Sequence, residues 1–125
     1  MEKIKVLIVE DDKDYRWILE QGFASAVELN VLFAKDGEEG LDMIIKESPE
    51  LVVLDIMLPK MDGMEVARKV KEKGLKPKIV FLTNLTDLKY IMGAVEVVKE
   101  TDYIIKSDIR VPEIVERVKA RLLIK

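Results

Sequence analysis

Five short runs rich in aliphatic and β-branched residues recur along the chain: IKVLIV (4–9), ELNVLFA (28–34), LVVLD (51–55), KIVFLT (78–83) and DYIIK (102–106). Between them lie stretches with helical patterning, and this alternation constrains the fold more than any other feature. Val52, Val53 and Leu54 show no polar alternation, the mark of a strand buried on both faces. Strands that alternate with helices form a parallel sheet covered on both faces and joined by right-handed crossovers. The expected product is a doubly wound α/β fold with five parallel strands. A chain of 125 residues holds one such core and not two, so a single domain over 1–125 is expected.

Helices are expected over 13–26, 37–47, 64–73, about 86–98, and 112–123. In the first, Tyr15, Ile18, Leu19, Gly22 and Phe23 fall on one face and Trp17 on the other. Asp36 and Asp62 each precede a glutamate, Glu39 and Glu65, by three residues, the capping-box spacing that satisfies free helix amides. Asp12 reads as a helix-start residue, Pro112 suits a first helical turn, and Gly74 suits a helix end.

In open parallel sheets ligands bind beyond the carboxyl ends of the strands. The residues expected there are Glu10, Asp11 and Asp12 at the end of the first strand, Asp55 at the end of the third, Thr83 and Asn84 at the end of the fourth, and Lys106 at the end of the fifth. Carboxylates gathered on one rim resist ionising together unless a hard cation sits among them. The chain has neither cysteine nor histidine. That removes thiolate chemistry, the commonest general base and the favoured zinc ligands, so oxygen donors point to magnesium, with manganese as the alternative. A hydroxyl and an ammonium beside bound magnesium are what a phosphoryl group needs, and a carboxylate facing them can act as its nucleophile. Asp55, a carboxylate at the end of an otherwise apolar strand, is therefore expected to be phosphorylated.

Other classes fare less well. A net charge of -3 argues against an electrostatically driven nucleic-acid binder. The apolar part of MEKIKVLIVEDD is about six residues long with acids directly behind it, too short for a signal peptide or a membrane span, so a cytoplasmic location is expected. A phosphatase using an aspartyl intermediate would want a general acid two residues after the nucleophile, where Met57 stands.

Over essentially its whole length the sequence resembles the receiver domains of two-component response regulators. The matching marks are the acid pair in VLIVEDD, the segment DGEEGL, the block LVVLDIMLPKMDG, then IVFLT and DYIIK; Asp11 and Asp55 lie 44 residues apart, as in many receivers. The resemblance implies a flavodoxin-like sheet of order 2-1-3-4-5. It also implies a signalling switch that phosphorylates and dephosphorylates itself, and not a turnover enzyme. Glu10 and Asp11 match the acid pair that holds magnesium, Glu10 through water. Asp55 matches the phosphoacceptor, and Met57 lends its backbone carbonyl to the metal. Thr83 matches the hydroxyl drawn toward the phosphoryl group, Lys106 the family's lysine, and Tyr103 the aromatic whose rotamer reports the switch.

The partners so implied are a histidine kinase or histidine phosphotransferase as donor, met along the first helix, and a protein output partner; Trp17 on that helix either lies flat against its own helix or contacts such a partner. No direct DNA binding and no membrane insertion are expected, and the state is a monomer or weak homodimer, with Asp102, Glu113 and Arg117 at positions used for dimer salt bridges in related receivers. Three departures stand out. Asn84 replaces the usual small residue, and so either crowds the phosphoryl site or adds a donor to it. Lys99-Glu100-Thr101 replaces a Gly-Ala pair, and Ser107 replaces the proline after the lysine. If these block the phosphorylated conformation, the chain is instead a receiver-fold binding module that no longer switches.

Overall fold

In a computed structural model, residues 2–97 and 102–124 are described, and they form a doubly wound α/β sandwich. The elements in order are β1 (Ile4–Val9), α1 (Lys13–Phe23), β2 (Leu29–Ala34), α2 (Gly37–Glu47), β3 (Leu51–Leu54) and α3 (Gly63–Glu72). Then come β4 (Lys78–Thr83), α4 (Leu88–Val97), β5 (Asp102–Ile105), a 3-10 turn (Lys106–Asp108) and α5 (Val111–Arg121). All pairings are parallel and the strand order is 2-1-3-4-5. The architecture expected from the alternation of strands and helices is thus present.

Side chains of successive strand residues point to opposite faces, so each apolar run feeds two cores. Leu7, Val9, Val52, Leu54, Ile79 and Phe81 pack with Leu41 and Ile44 of α2, Val66, Ala67 and Val70 of α3, and Ala94 of α4. Val6, Ile8, Leu51, Val53, Val80, Leu82 and Ile104 pack on the other face with Leu19 and Phe23 of α1 and Ile114, Val115 and Val118 of α5. Full burial of each large side chain is worth about 1.5–3 kcal/mol over exposure. Truncating the fully buried Phe81 to alanine should cost about 3–5 kcal/mol.

Helix ends follow local hydrogen bonding. Asp12, Asp36 and Asp62 cap α1, α2 and α3 through side chains that accept backbone N–H groups. Glu39 completes its half of the box one residue early, accepting the Lys35 N–H at 3.1 Å. Pro112 lies in the first turn of α5, and Gly74, at φ 73°, follows α3 in the left-handed region that favours glycine. Several boundaries differ from the sequence pattern, and α5 ends at Arg121 where 123 was expected. The first helix stops at Phe23, because the chain turns there to bury Ala26 and Leu29. The fourth begins at Leu88, because the Asp87 carboxylate accepts the Lys89 N–H at 3.0 Å and sets the start; its expected end at 98 lies outside the described residues. Ile18, placed by periodicity on the core face, is instead 44% exposed, beside Trp17 at 61%.

Candidate functional site

Register brings the polar strand ends together. Val9 pairs with Leu54, so the residues that follow, Glu10 and Asp55, leave the sheet side by side, and the Asp55 N–H donates to Val9 O at 3.2 Å. Thr83 pairs with Ile105, which sets Lys106 at the same rim. The runs place strand ends at Asp55 and Lys106, but β3 and β5 stop one residue earlier, at Leu54 and Ile105, so both side chains fall just past their strands. At Gly63 any side chain would run into the backbone carbonyl of Asp55. Glycine there lets the start of α3 close directly on the strand end.

Lys106 is the centre of the arrangement. Its Nζ lies 2.6 Å from Glu10 Oε1 and 2.7 Å from Asp55 Oδ2, with its side chain only 14% exposed. Two carboxylates with 1% and 4% exposure are thus joined by one ammonium. Burial pushes the Glu10 carboxyl above the usual range, although Lys106 and the Asp12 N–H, 3.0 Å from Glu10 Oε2, pull the other way. For Lys106 burial favours the neutral form, but hydrogen bonds to Asp55 and Glu10 prevail and raise it, so the ammonium is charged throughout the physiological range.

Asp11, exposed, completes the cluster: one carboxylate oxygen from each of Glu10, Asp11 and Asp55 lies within 4.8 Å of the others. Three hard oxygen donors with a surplus of two negative charges over Lys106 fit a divalent cation such as magnesium or manganese. Met57 also engages the site through its amide, which donates to Asp55 Oδ1 at 3.2 Å.

Thr83 is fully buried at the end of β4, its Oγ1 accepting the Leu85 N–H at 3.4 Å. Asn84 is exposed, and its Oδ1 accepts the Ser107 N–H at 3.2 Å. This side chain therefore ties the turns after β4 and β5 together. Among the described residues no peptide bond is cis. Tyr103 lies on β5 with its ring tilted against Phe81 at 6.1 Å, and its hydroxyl donates to Leu85 O at 2.8 Å. Burial raises the Tyr103 phenol above its ordinary value, and the charge of Asp55 adds to this. The segment Lys99-Glu100-Thr101 lies outside the described residues.

Two residues of the rim went unassigned by sequence reasoning. Arg16 Nη1 donates to Glu10 O at 2.8 Å, fixing the turn that carries the acids. Tyr15 places its ring 4.7 Å from Lys106 Nζ. The available signal was its position in the first turn of α1, since helical side chains lean toward the N-terminus, here toward the rim.

Comparisons with known proteins agree with this fold. A family model described as response regulator receiver domain matches residues 6–119. The probable transcriptional regulator ycf27 of Porphyridium aerugineum is 39% identical over 106 residues, covering 85% of this chain and 43% of that protein. The chain therefore spans less than half the length of that curated relative. A CheY-like response regulator receiver domain protein from Methanospirillum hungatei superposes with a TM-score of 0.86 at 26% identity, covering 97% of this chain and 94% of that one. The response regulator domain of Thermotoga maritima CheB superposes at 0.84 over 99% of both chains; at 24% identity it speaks for the fold alone.

Proposed function

Because the chain belongs to the response regulator receiver domain family, we propose that it is a phosphorylation switch in which Asp55 accepts a phosphoryl group from a phosphohistidine. The observation that carries this reading is the Lys106 ammonium, 2.7 Å from Asp55 Oδ2 inside the three-carboxylate cluster. An Asp55 oxygen attacks phosphorus, the P–N bond to the donor imidazole breaks, and the imidazole leaves with its electron pair and takes up a proton. Lys106 offsets charge on the phosphoryl oxygens, and the Thr83 hydroxyl supplies a hydrogen bond to them. Magnesium, held by Glu10, Asp11, Asp55 and the Met57 carbonyl, would supply the remaining neutralisation of the phosphoryl group.

The donor is a histidine kinase or a histidine phosphotransferase that meets α1, where Trp17 and Ile18 stand exposed beside the rim. Output runs through Thr83 and Tyr103 to the face formed by α4, β5 and α5, read by a protein partner. Leu88, Met92 and Val95 support that assignment, for they are 66%, 62% and 51% exposed on successive turns of α4. Among the described residues no helix is long and apolar enough to cross a membrane. Mass spectrometry after incubation with acetyl phosphate and magnesium tests the reading. One phosphoryl group on Asp55, absent from Asp55→Ala, is expected; phosphate on Asp12 or Asp62 instead would overturn it.

A further inference from the structure

The Lys106 ammonium has three N–H bonds, and among the described residues two carboxylates are in contact with it, Glu10 Oε1 at 2.6 Å and Asp55 Oδ2 at 2.7 Å. The face of the Tyr15 ring stands against it at 4.7 Å to the centroid. This contact is built into the start of α1. Asp12 Oδ1 accepts the N–H of Asp14 at 2.9 Å and of Tyr15 at 3.2 Å, while Arg16 Nη1 binds the Glu10 carbonyl, so the backbone that carries the ring is pinned to the acid turn. Among the described residues no hydrogen bond from the Tyr15 hydroxyl is seen, so what this residue brings to the rim is the ring face. The remaining wall could have been water, which would hydrate the ammonium and let its long stem sample other rotamers.

We propose that Tyr15 is a positioning residue for phosphoryl transfer: its ring holds the Lys106 ammonium against Asp55 and keeps it from bulk water. The inference rests on the reading of Asp55 as phosphoacceptor and deepens it. A ring quadrupole attracts a cation across its face, more strongly as the pair is desolvated. A lysine is a compact, strongly hydrated charge on a flexible stem, so a fixed aromatic wall is what confines it. The contact that Tyr15 makes at the rim is with the Lys106 ammonium, and it acts through that group.

The test is the rate of Asp55 phosphorylation by acetyl phosphate at saturating magnesium, measured for wild type, Tyr15→Phe, Tyr15→Leu and Tyr15→Met, each alone and combined with Lys106→Met. Tyr15→Phe keeps the ring and should match the wild type. Loss of the ring in Tyr15→Leu or Tyr15→Met should slow the reaction about tenfold, or about 1.4 kcal/mol. In the Lys106→Met background neither substitution should slow it further. Nuclear magnetic resonance gives an independent reading: the Lys106 ε-methylene protons should be shifted upfield by the ring in wild type and Tyr15→Phe, and return to the ordinary lysine position without it. Wild-type rates in both ring-free variants, equal slowing with or without Lys106, or an ordinary Lys106 resonance in the wild type would each overturn the role of Tyr15. Absence of phosphate on wild-type Asp55 would overturn the switch itself, a result separable from these because it concerns the unmodified chain.

Discussion

Replacing Lys106 with methionine removes the ammonium that joins Glu10 and Asp55 at 2.6 and 2.7 Å. Methionine keeps most of the stem volume, so the change is chiefly electrostatic. Breaking a buried ion pair by deleting one partner costs about 3–5 kcal/mol, because the charge left behind stays desolvated. The Lys106 side chain is 14% exposed and Asp11 stands in solvent, which places the expected loss near the lower end, about 3 kcal/mol at pH 7. For a chain of this size each kcal/mol lowers the melting temperature by about 4 °C, so a fall of about 12 °C is expected.

The pH dependence gives the test its sign. The Lys106 value is raised above 10.5 in the folded state, so its stabilisation is complete below that pH and is lost only as pH rises through the folded value. Glu10 is raised above 4.5, chiefly by burial, so its native state binds the proton more readily; that contribution is full below 4.5 and is lost as pH rises through the folded value. Removing Lys106 takes away a hydrogen bond that lowers Glu10 and so raises it further. The gap between wild type and Lys106→Met should therefore narrow as pH falls from 7 toward 5. Magnesium, as a replacement cation, should raise the melting temperature of the variant more than that of the wild type. Melting curves at several pH values, with and without magnesium, decide it. Superimposed curves at pH 7 without metal, or a gap that widens on acidification, would refute the account of Lys106 as the internal counter-ion.

Three further outcomes follow from particular contacts. Hydrogen exchange with and without beryllofluoride should change most in 84–97 and 102–106 and little in 13–47; changes confined to residues bordering Asp55 would favour a receiver fold that binds without switching. Trp17→Ala should leave phosphorylation by acetyl phosphate unchanged and slow transfer from a phosphohistidine protein, as measured by the two rates side by side. Asp36→Ala should cost about 1 kcal/mol in denaturant melts through loss of the cap on α2. The Asp36 carboxyl is held below 3.8 by the Glu39 N–H, so its contribution is present above that pH and is lost as pH falls through the folded value, where wild type and variant should converge.

Much of this molecule is legible in its sequence, and what is not has a physical cause. The sheet was readable because buried parallel strands are continuous apolar runs, and Val52, Val53 and Leu54 tolerate no other environment. The caps at Asp12, Asp36 and Asp62 were readable because a short carboxylate accepts an amide two or three residues on, an interaction wholly local in sequence. The strand order was not derivable from the runs themselves; it came from resemblance, since nothing in a single strand states its neighbour. The exposure of Ile18 escaped because periodicity gives a direction around a helix and not the width of the surface that covers it. Asn84 is a similar case: its identity raised the question of crowding, but only the approach of Ser107, 23 residues on, shows which way the amide faces.

Tyr15 marks the limit most clearly. Helical spacing assigns it to the core face with Leu19 and Phe23, and it does pack partly there. Yet a residue in the first turn belongs to two surfaces, the flank of the helix and the rim beyond its N-terminus, and pattern reading sees only the first. Its partner Lys106 is 91 positions away in sequence and is brought within 4.7 Å by the parallel register of β1, β3, β4 and β5. A carboxylate beside a lysine could be inferred, because opposite charges on one rim imply each other. An aromatic ring completing the enclosure of that lysine carries no charge and no motif, so it becomes visible only when the sheet has placed both ends of the chain on the same edge.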